Sequence, residues 1–160
     1  LERQMVSASE NGDILTAGMC DIDHFKRVND TWGHQVGDDV LCELAHLLRE
    51  SAEGRGAAGR MGGEEFLLVL RMKAGGDYMA EYAAICAGIA ATPLKTRIGE
   101  IPITVSIGVS CAKGKSGVDA ILGLADAALY SAKGLGRNRV VFAGGENAGE
   151  AGAACCPRSE

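Results

Sequence analysis

Apolar and polar positions alternate along the chain in two periods, and these divide it into strands and helices. Over residues 101–111, Ile101, Ile103, Val105, Ile107, Val109 and Cys111 alternate with Pro102, Thr104, Ser106, Gly108 and Ser110. This predicts a strand with one apolar face and one face of small groups. Val36, Val40, Leu41, Leu44, Leu47 and Leu48 recur at helical spacing and predict an amphipathic helix. Tyr82, Ile85, Cys86 and Ile89 predict another, ended by Thr92-Pro93. Ile121, Ala125, Ala128 and Ala132 form a third stripe, with Leu122 and Leu129 beside it. Ser116-Gly117-Val118-Asp119 resembles a capping box at its start, and Gly134 is the expected C-cap.

The remaining segments are shorter. Residues 14–20 and 139–142 read as strands, and 94–98 as a strand that pairs with the 101–111 run through Gly99. Residues 57–61 and 65–70 read as a hairpin whose two-residue turn is Gly62-Gly63. Residues 24–30 form a short helix or loop. Leu1, Met5 and Ala8 have helical spacing, and Asn11-Gly12-Asp13 is a turn signal. Hairpins thus alternate with helices, which predicts an α+β fold: an α/β sandwich on a mixed, largely antiparallel sheet. Residues 1–143 form one domain and 144–160 a flexible tail.

Composition narrows the function. The chain has 160 residues, the size of one domain, and 47% are hydrophobic, enough for a core. With 16 basic against 21 acidic residues, the net charge of −5 argues against a broad nucleic-acid footprint. A single nucleotide, needing only a few local cations, is compatible with it. No apolar run approaches the roughly 18 residues that span a bilayer, and no membrane contact by this domain is expected. The first ten residues lack the apolar region of a signal peptide. The chain does not open on methionine, so an upstream, sensory domain is expected in a longer parent protein, itself able to be membrane-attached. Six cysteines without a C-x-x-C pair indicate a reduced, cytoplasmic protein with no zinc site, four of them lying in apolar segments as small core residues.

The candidate chemistry lies in two acidic pairs. Asp21 and Asp23 stand two apart at the end of a strand, where period two puts both on one face. An EF-hand loop is excluded, because its fifth ligand position would be Phe25 and its glycine Lys26. Glu64 and Glu65 follow Gly62-Gly63 at the mouth of an uncharged run, and adjacent carboxylates there call for a cation. If the strand end and the hairpin tip adjoin, the oxygens suit Mg²⁺, with Mn²⁺ as an alternative, and two ions could clamp a phosphoryl displacement. Lys133 and Arg137 lie four apart across a helix end. They either reach a bound triphosphate or simply favour the helix C-terminus.

DIDHFKRVNDTWGHQVGDD, RMGGEEF, ITVSIGVS and ADAALYSAKGLGRNRV occur in that order. Together they make the chain resemble a GGDEF domain, the diguanylate cyclase catalytic module, in its GGEEF form, from about Asp21 to Val141. The resemblance implies a five-stranded, mainly antiparallel sheet wrapped by helices, similar to the palm-like core of nucleotide cyclases. It implies condensation of two GTP to cyclic di-GMP across a homodimer, with release of two pyrophosphates. Asp21 and Glu64 match metal-binding carboxylates, and the carbonyl of Ile22 a backbone ligand. Glu64 also matches the group that helps deprotonate the ribose 3′-hydroxyl, and the resemblance implies that Glu65 supports the metal site. Phe25 and Lys26 match the phosphate cradle, Asn29 and Asp38 the guanine readers, and Lys133 and Arg137 triphosphate contacts. His34 either lines the same pocket or makes a structural hydrogen bond.

Two departures stand out. The D-x-L-T-G-L-x-N-R segment with which the family usually begins is absent. An R-x-x-D product-inhibition site is also absent, Glu53-Gly54-Arg55-Gly56 standing in its place, so no inhibitory product site is expected. Retention of Asp38 favours two guanines over a mixed guanine–adenine product. Two rival readings are a catalytically silent GTP-binding regulatory module and a class III-like cyclase acting on one triphosphate.

Overall fold

The computed structural model describes residues 13–73, 75–111, 117–144 and 146–147. The predicted N-terminal helix, Asn11 and Gly12 of the predicted turn, Ser116, most of the predicted tail and the Cys155–Cys156 pair lie outside them. Strand β1 (Asp13–Ile22) leads into helices α1 (Phe25–Trp32) and α2 (His34–Ala52). The hairpin β2 (Gly56–Gly62) and β3 (Glu65–Lys73) follows, then α3 (Tyr78–Ala91) and a short hairpin, β4 (Leu94–Thr96) and β5 (Gly99–Ile101). Strand β6 (Val105–Cys111), helix α4 (Val118–Gly134), β7 (Arg139–Phe142) and the two-residue β8 (Glu146–Asn147) complete the order.

Five main strands form the sheet in the order β2-β3-β1-β6-β7, with β8 added at the β7 edge. All pairs are antiparallel except β6 with β7. The expected α+β sandwich is therefore present. One face of the sheet, through Cys20, Ile22, Phe66, Leu68, Leu70, Ile107 and Val109, packs on α1, α2 and α3 in a single large core. The other face carries α4: Met19 packs on Ala125 and Leu129, and Val141 on Ala128 and Ala132.

The small face of β6 explains how α4 lies so near the sheet. A Cβ on Gly108 would collide with the backbone of Ala125, Ala128 and Leu129. Ser110 Oγ donates to the carbonyl of Ile121 at 2.7 Å. Strand β6 is thus buried on both faces, apolar residues toward one layer and small ones against the helix backbone of the other.

Several local expectations are corrected. The 101–111 run is not one strand: Ile101 ends β5, which pairs only with β4, and β6 begins at Val105. Pro102, lacking a donor, stands in the break. The turn of the β2–β3 hairpin is Gly63-Glu64 rather than Gly62-Gly63, because Gly62 pairs with Glu65 after a register shift beyond Arg60. Only Gly63 of the two glycines has a positive φ, 54°. Helix α4 has Gly117 as N-cap, and the Ser116 of the expected capping box lies outside the described residues. Gly134 lies inside that helix, and the left-handed residues follow it at Gly136, Arg137 and Asn138, φ 111°, 65° and 45°. Cys20 and Cys86 are core residues as expected, the Cys86 thiol being pushed up to about 11 mainly by burial, but Cys42 is exposed on α2.

Gly108→Ala is expected to destabilise the fold by about 2–3 kcal/mol, since the added methyl meets helix backbone that cannot rotate away. Gly88→Ala on α3, where nothing lies within 4 Å of the added carbon, is expected to stabilise it by up to about 1 kcal/mol. Urea midpoints at unchanged slope test both.

Candidate active site

Period two carries β1 out of the core and into the site. Met19 and Asp21 share the face of β1 that meets α4, and Ala125, Leu129 and Lys133 follow one another at i, i+4 on the facing stripe of that helix. The contact that continues Met19 against Leu129 is therefore Asp21 against Lys133. Lys133 Nζ lies 2.9 Å from Asp21 Oδ2. Asp21 is only 3% exposed. Burial raises its carboxyl pKa above the usual carboxylate value, the hydrogen bond and charge of Lys133 oppose that shift, Asp23 adds to it and Arg137 also opposes it.

Glu64 belongs to the same electrostatic cluster. It sits in the β2–β3 turn, half-buried, and its carboxyl is raised by burial and then by the charge of Asp21, with Lys133 opposing and Glu65 adding. Glu65 opens β3 directly opposite Asp21 in the β1–β3 register. The strand end, the hairpin tip and the end of α4 thus bring together Asp21, Glu64, Glu65, Lys133 and Arg137. Arg60, beside the turn, donates from Nε to the carbonyl of Gly63 at 2.8 Å and ties the tip to β2.

Asp23 does different work from Asp21. Its Oδ2 accepts from Thr104 Oγ1 at 2.6 Å and from the backbone N–H of Asn138 at 2.9 Å, and its Oδ1 accepts from Ser106 Oγ at 2.6 Å. Its own N–H donates to the carbonyl of Thr104 at 2.9 Å. Asp23 therefore braces the β1–α1 turn against β6 and against the loop after α4 that carries Arg137. Thr104, Ser106 and Asn138 are site-building residues that the motif reading did not single out. The signal for Ser106 and Thr104 was the polar half of the 101–111 alternation.

Phe25 and Lys26, expected on a loop, are the first two residues of α1 after His24, which has φ 57°. Their N–H groups belong to the first turn, which has no intrahelical acceptors, so the segment matched to the phosphate cradle is a helix N-terminus. Asn29, half-buried on α1, lays its carboxamide directly on Gly37 of α2, where a Cβ would collide with it. Asp38 is the next residue, exposed on α2, and His34, also exposed, opens that helix. Asp38 stands in the lining of a groove of about 310 Å³ with Leu41, Ala45, Ala58, Arg60 and Phe66. Through Arg60 the groove reaches the hairpin that carries Glu64.

The donor set at the acidic end fits a hard divalent cation. Among the described residues, no three His, Cys, Asp or Glu side chains converge as a metal cage. Asp21 and Glu64 are two carboxylates, each raised by burial and by the neighbouring negative charge. Mg²⁺ is commonly held in this way, by one or two carboxylates with the rest of its shell made by waters and phosphates.

A family model described as "Diguanylate cyclase, GGDEF domain" matches residues 1–139. Diguanylate cyclase DosC of Escherichia coli (strain K12) is 34% identical over 140 residues, covering 87% of this chain and 30% of that protein. Response regulator PleD of Caulobacter vibrioides (strain NA1000 / CB15N) is 36% identical over 144 residues, covering 88% of this chain and 32% of that protein. The chain thus spans less than a third of the length of these curated relatives. Among solved structures, the GGDEF domain of DgcB from Caulobacter crescentus in complex with c-di-GMP is 37% identical at a TM-score of 0.79, over 89% of this chain and 85% of that one. The active GGEEF domain of a diguanylate cyclase from Vibrio cholerae is 32% identical at a TM-score of 0.77, over 90% and 92%. Among the described residues, no helix is long and apolar enough to cross a membrane.

Glu64→Gln is expected to stabilise the cation-free protein at pH 7. A carboxyl whose folded pKa is raised destabilises the fold above that pKa, and the cost is relieved as pH falls through it toward the unfolded value near 4.3. The gain from the substitution should therefore vanish at about pH 4. Urea unfolding with chelator at the two pH values checks it, and a gain that persists unchanged in acid would refute the assignment.

Proposed function

The chain belongs to the GGDEF family of diguanylate cyclase domains, and on that premise we propose that it condenses two GTP molecules to cyclic di-GMP and two pyrophosphates across a homodimer. The single observation that carries this reading is the cluster itself: Asp21 and the hairpin acids, far apart in sequence, meet beside Lys133, with Glu65 opposite Asp21 in the β1–β3 register and the charge of Asp21 raising the Glu64 carboxyl. Asp21, Glu64 and the carbonyl of Ile22 would hold the divalent cations, Mg²⁺ or Mn²⁺. These ions, when bound, neutralise charge on the triphosphate in a two-metal phosphoryl transfer.

The chain's own residues perform the rest. The N–H groups of Phe25 and Lys26 and the Lys26 ammonium cradle phosphates at the start of α1. Lys133 and Arg137 neutralise the triphosphate from the end of α4. Asn29 and Asp38 address the donors and acceptors on the guanine edge, with His34 at the rim and the groove past Leu41 as the slot for the base. Glu64 takes the proton from the attacking 3′-hydroxyl, and Glu65 supports the metal site. Each site holds one GTP, and the product has two phosphodiester bonds. Two sites must therefore face each other, which a C2 pairing supplies and which converts the step into a positioned, near-unimolecular one. Glu53 stands where an inhibitory aspartate motif would begin, and Arg55 is engaged by Glu81 at 2.6 Å. We accordingly expect no product feedback at that place. A cytoplasmic location and an upstream sensory domain belong to the same reading.

The reading is tested by incubating the chain with GTP and Mg²⁺ over a wide range of protein concentration. Cyclic di-GMP is expected, with a rate per monomer that rises with concentration. Its absence at every concentration would support the silent, GTP-binding module instead, and 3′,5′-cyclic GMP would support a one-substrate cyclase. Glu64→Gln is expected to lower turnover by about 10²-fold or more, the scale of losing one group that acts at the reacting centre, while the circular dichroism spectrum is kept. Asp38→Ser is expected to reduce the preference for GTP over ATP, and unchanged discrimination would remove Asp38 from its role.

A further inference from the structure

Arg97 directs four donors onto one face of α2. Its backbone N–H donates to Asp39 Oδ2 at 3.0 Å and its Nε to the same oxygen at 2.8 Å. One terminal nitrogen donates to Asp39 Oδ1 at 2.8 Å, and the other to Gln35 Oε1 at 2.8 Å. Gln35 and Asp39 are four apart and so lie one turn above the other, with Asp38 between them in sequence. Arg97 sits at the tip of the β4–β5 hairpin, whose Leu94 and Ile101 are buried in the main core. The grip on α2 therefore comes from an anchored base. Most exposed ion pairs contribute little, but a bidentate arginine held within a network contributes more. The carboxyl of Asp39 is held down at about 2, chiefly by the hydrogen bonds from Arg97.

The helix end that Arg97 grips is packed from beneath through Val36 but has no side-chain cap of its own. Its N-cap is Gly33, φ 87°, with no side-chain capping bond and no acidic residue in the first turn. An uncapped first turn leaves its N–H groups without acceptors and frays readily. Asp38 lies in the second turn, exposed, at the groove. Its direction depends on the turn before it being closed.

We propose that Arg97 is a positioning residue for base recognition: by clamping Gln35 and Asp39 it holds the first two turns of α2 so that Asp38 faces the guanine edge. The β4–β5 hairpin then serves as an external cap for the helix that reads the base. The inference rests on the reading above that Asp38 contacts guanine, and it adds a specificity determinant outside the groove.

The test compares GTP with ITP, which lacks the 2-amino group that a carboxylate accepts. Equilibrium binding in Mg²⁺ and turnover are measured for the wild-type chain and for Arg97→Ala, Arg97→Lys, Asp39→Ala and the Arg97→Ala/Asp39→Ala double variant, with Asp38→Ser as reference. Arg97→Ala is expected to weaken GTP binding about fivefold and to narrow the GTP-over-ITP ratio by about threefold, with kcat at saturation changed less than about twofold. Arg97→Lys, which keeps the charge but loses the fork, is expected to fall between, and the double variant to be no worse than either single one. If Asp38→Ser loses discrimination while Arg97→Ala and Asp39→Ala retain it, the clamp is refuted and the guanine reading stands. A fall in thermal stability and kcat together at unchanged base preference refutes it too, as a purely structural contact. If Asp38→Ser itself leaves the GTP-over-ITP ratio unchanged, the guanine reading fails and the clamp fails with it.

Discussion

A carboxylate at 3% exposure, Asp21, sets the terms for everything around it. Its charge is disfavoured by burial, and one ammonium at 2.9 Å offsets only part of that cost, since its pKa remains raised. Glu64 then adds a second negative charge within reach of the first. A fold selected for stability alone would not keep two partly desolvated acids beside one lysine. Such a balance makes sense where positive charge arrives from outside, and it explains why the acids stand at a strand end and a hairpin tip. Both are places that a rigid sheet holds still while leaving them open on one side.

The sheet can hold them still because of how closely α4 lies on β6. Gly108 lets helix backbone approach the strand, Ser110 fixes the helix at Ile121, and the stripe Ala125, Leu129, Lys133 is thereby set against Met19 and Asp21. Asp23 completes the assembly by accepting three hydrogen bonds from two other segments. Two adjacent acids of similar sequence context thus have opposite energetics. The donors around Asp23 satisfy it within the protein, whereas Asp21 is left short of positive charge. The difference lies in what the opposing segments supply: hydroxyls and an amide N–H for one, a single flexible lysine for the other.

Much of this was legible in the sequence, and the parts that were not share a cause. Long periodic runs such as Val36 to Leu48 and Ile121 to Ala132 fall in helices, because burial on one stripe needs that spacing whatever the partner. The alternation ending at Cys111 correctly marked a strand with a small face. It overran β6 at its start, because Ile101 and Ile103 are buried in the same core without belonging to the same strand. Periodicity reports burial, and a hairpin beside a strand can satisfy it as well as the strand itself. The turn at Gly63-Glu64 was misplaced by one residue for a related reason: two glycines offer two turns, and the bulge beyond Arg60 that chooses between them depends on cross-strand register. Type and order singled out Asp21, Glu64 and Lys133, which the fold brings together. Asn138 could not be read in this way, since its contact exists only once the loop after α4 meets Asp23.

Asp21 and Asp23 differ in how tightly the protein itself engages each of them. Asp21 and Asp23 are equally spaced for one face of a strand, and spacing alone assigns them equal chemistry. Strand β1 ends at Ile22, so Asp23 has already left the ladder and its side chain is free to turn toward β6. Three donors within 3 Å leave its oxygens committed to protein groups, and recruiting it to a cation would break a brace that spans three segments. Asp21 has one partner, on a side chain with four rotatable carbons, which can withdraw to meet a phosphate without disturbing the backbone. On the proposed reading the less well satisfied acid is the one left for a cation, and an exchangeable lysine keeps its charge tolerable meanwhile.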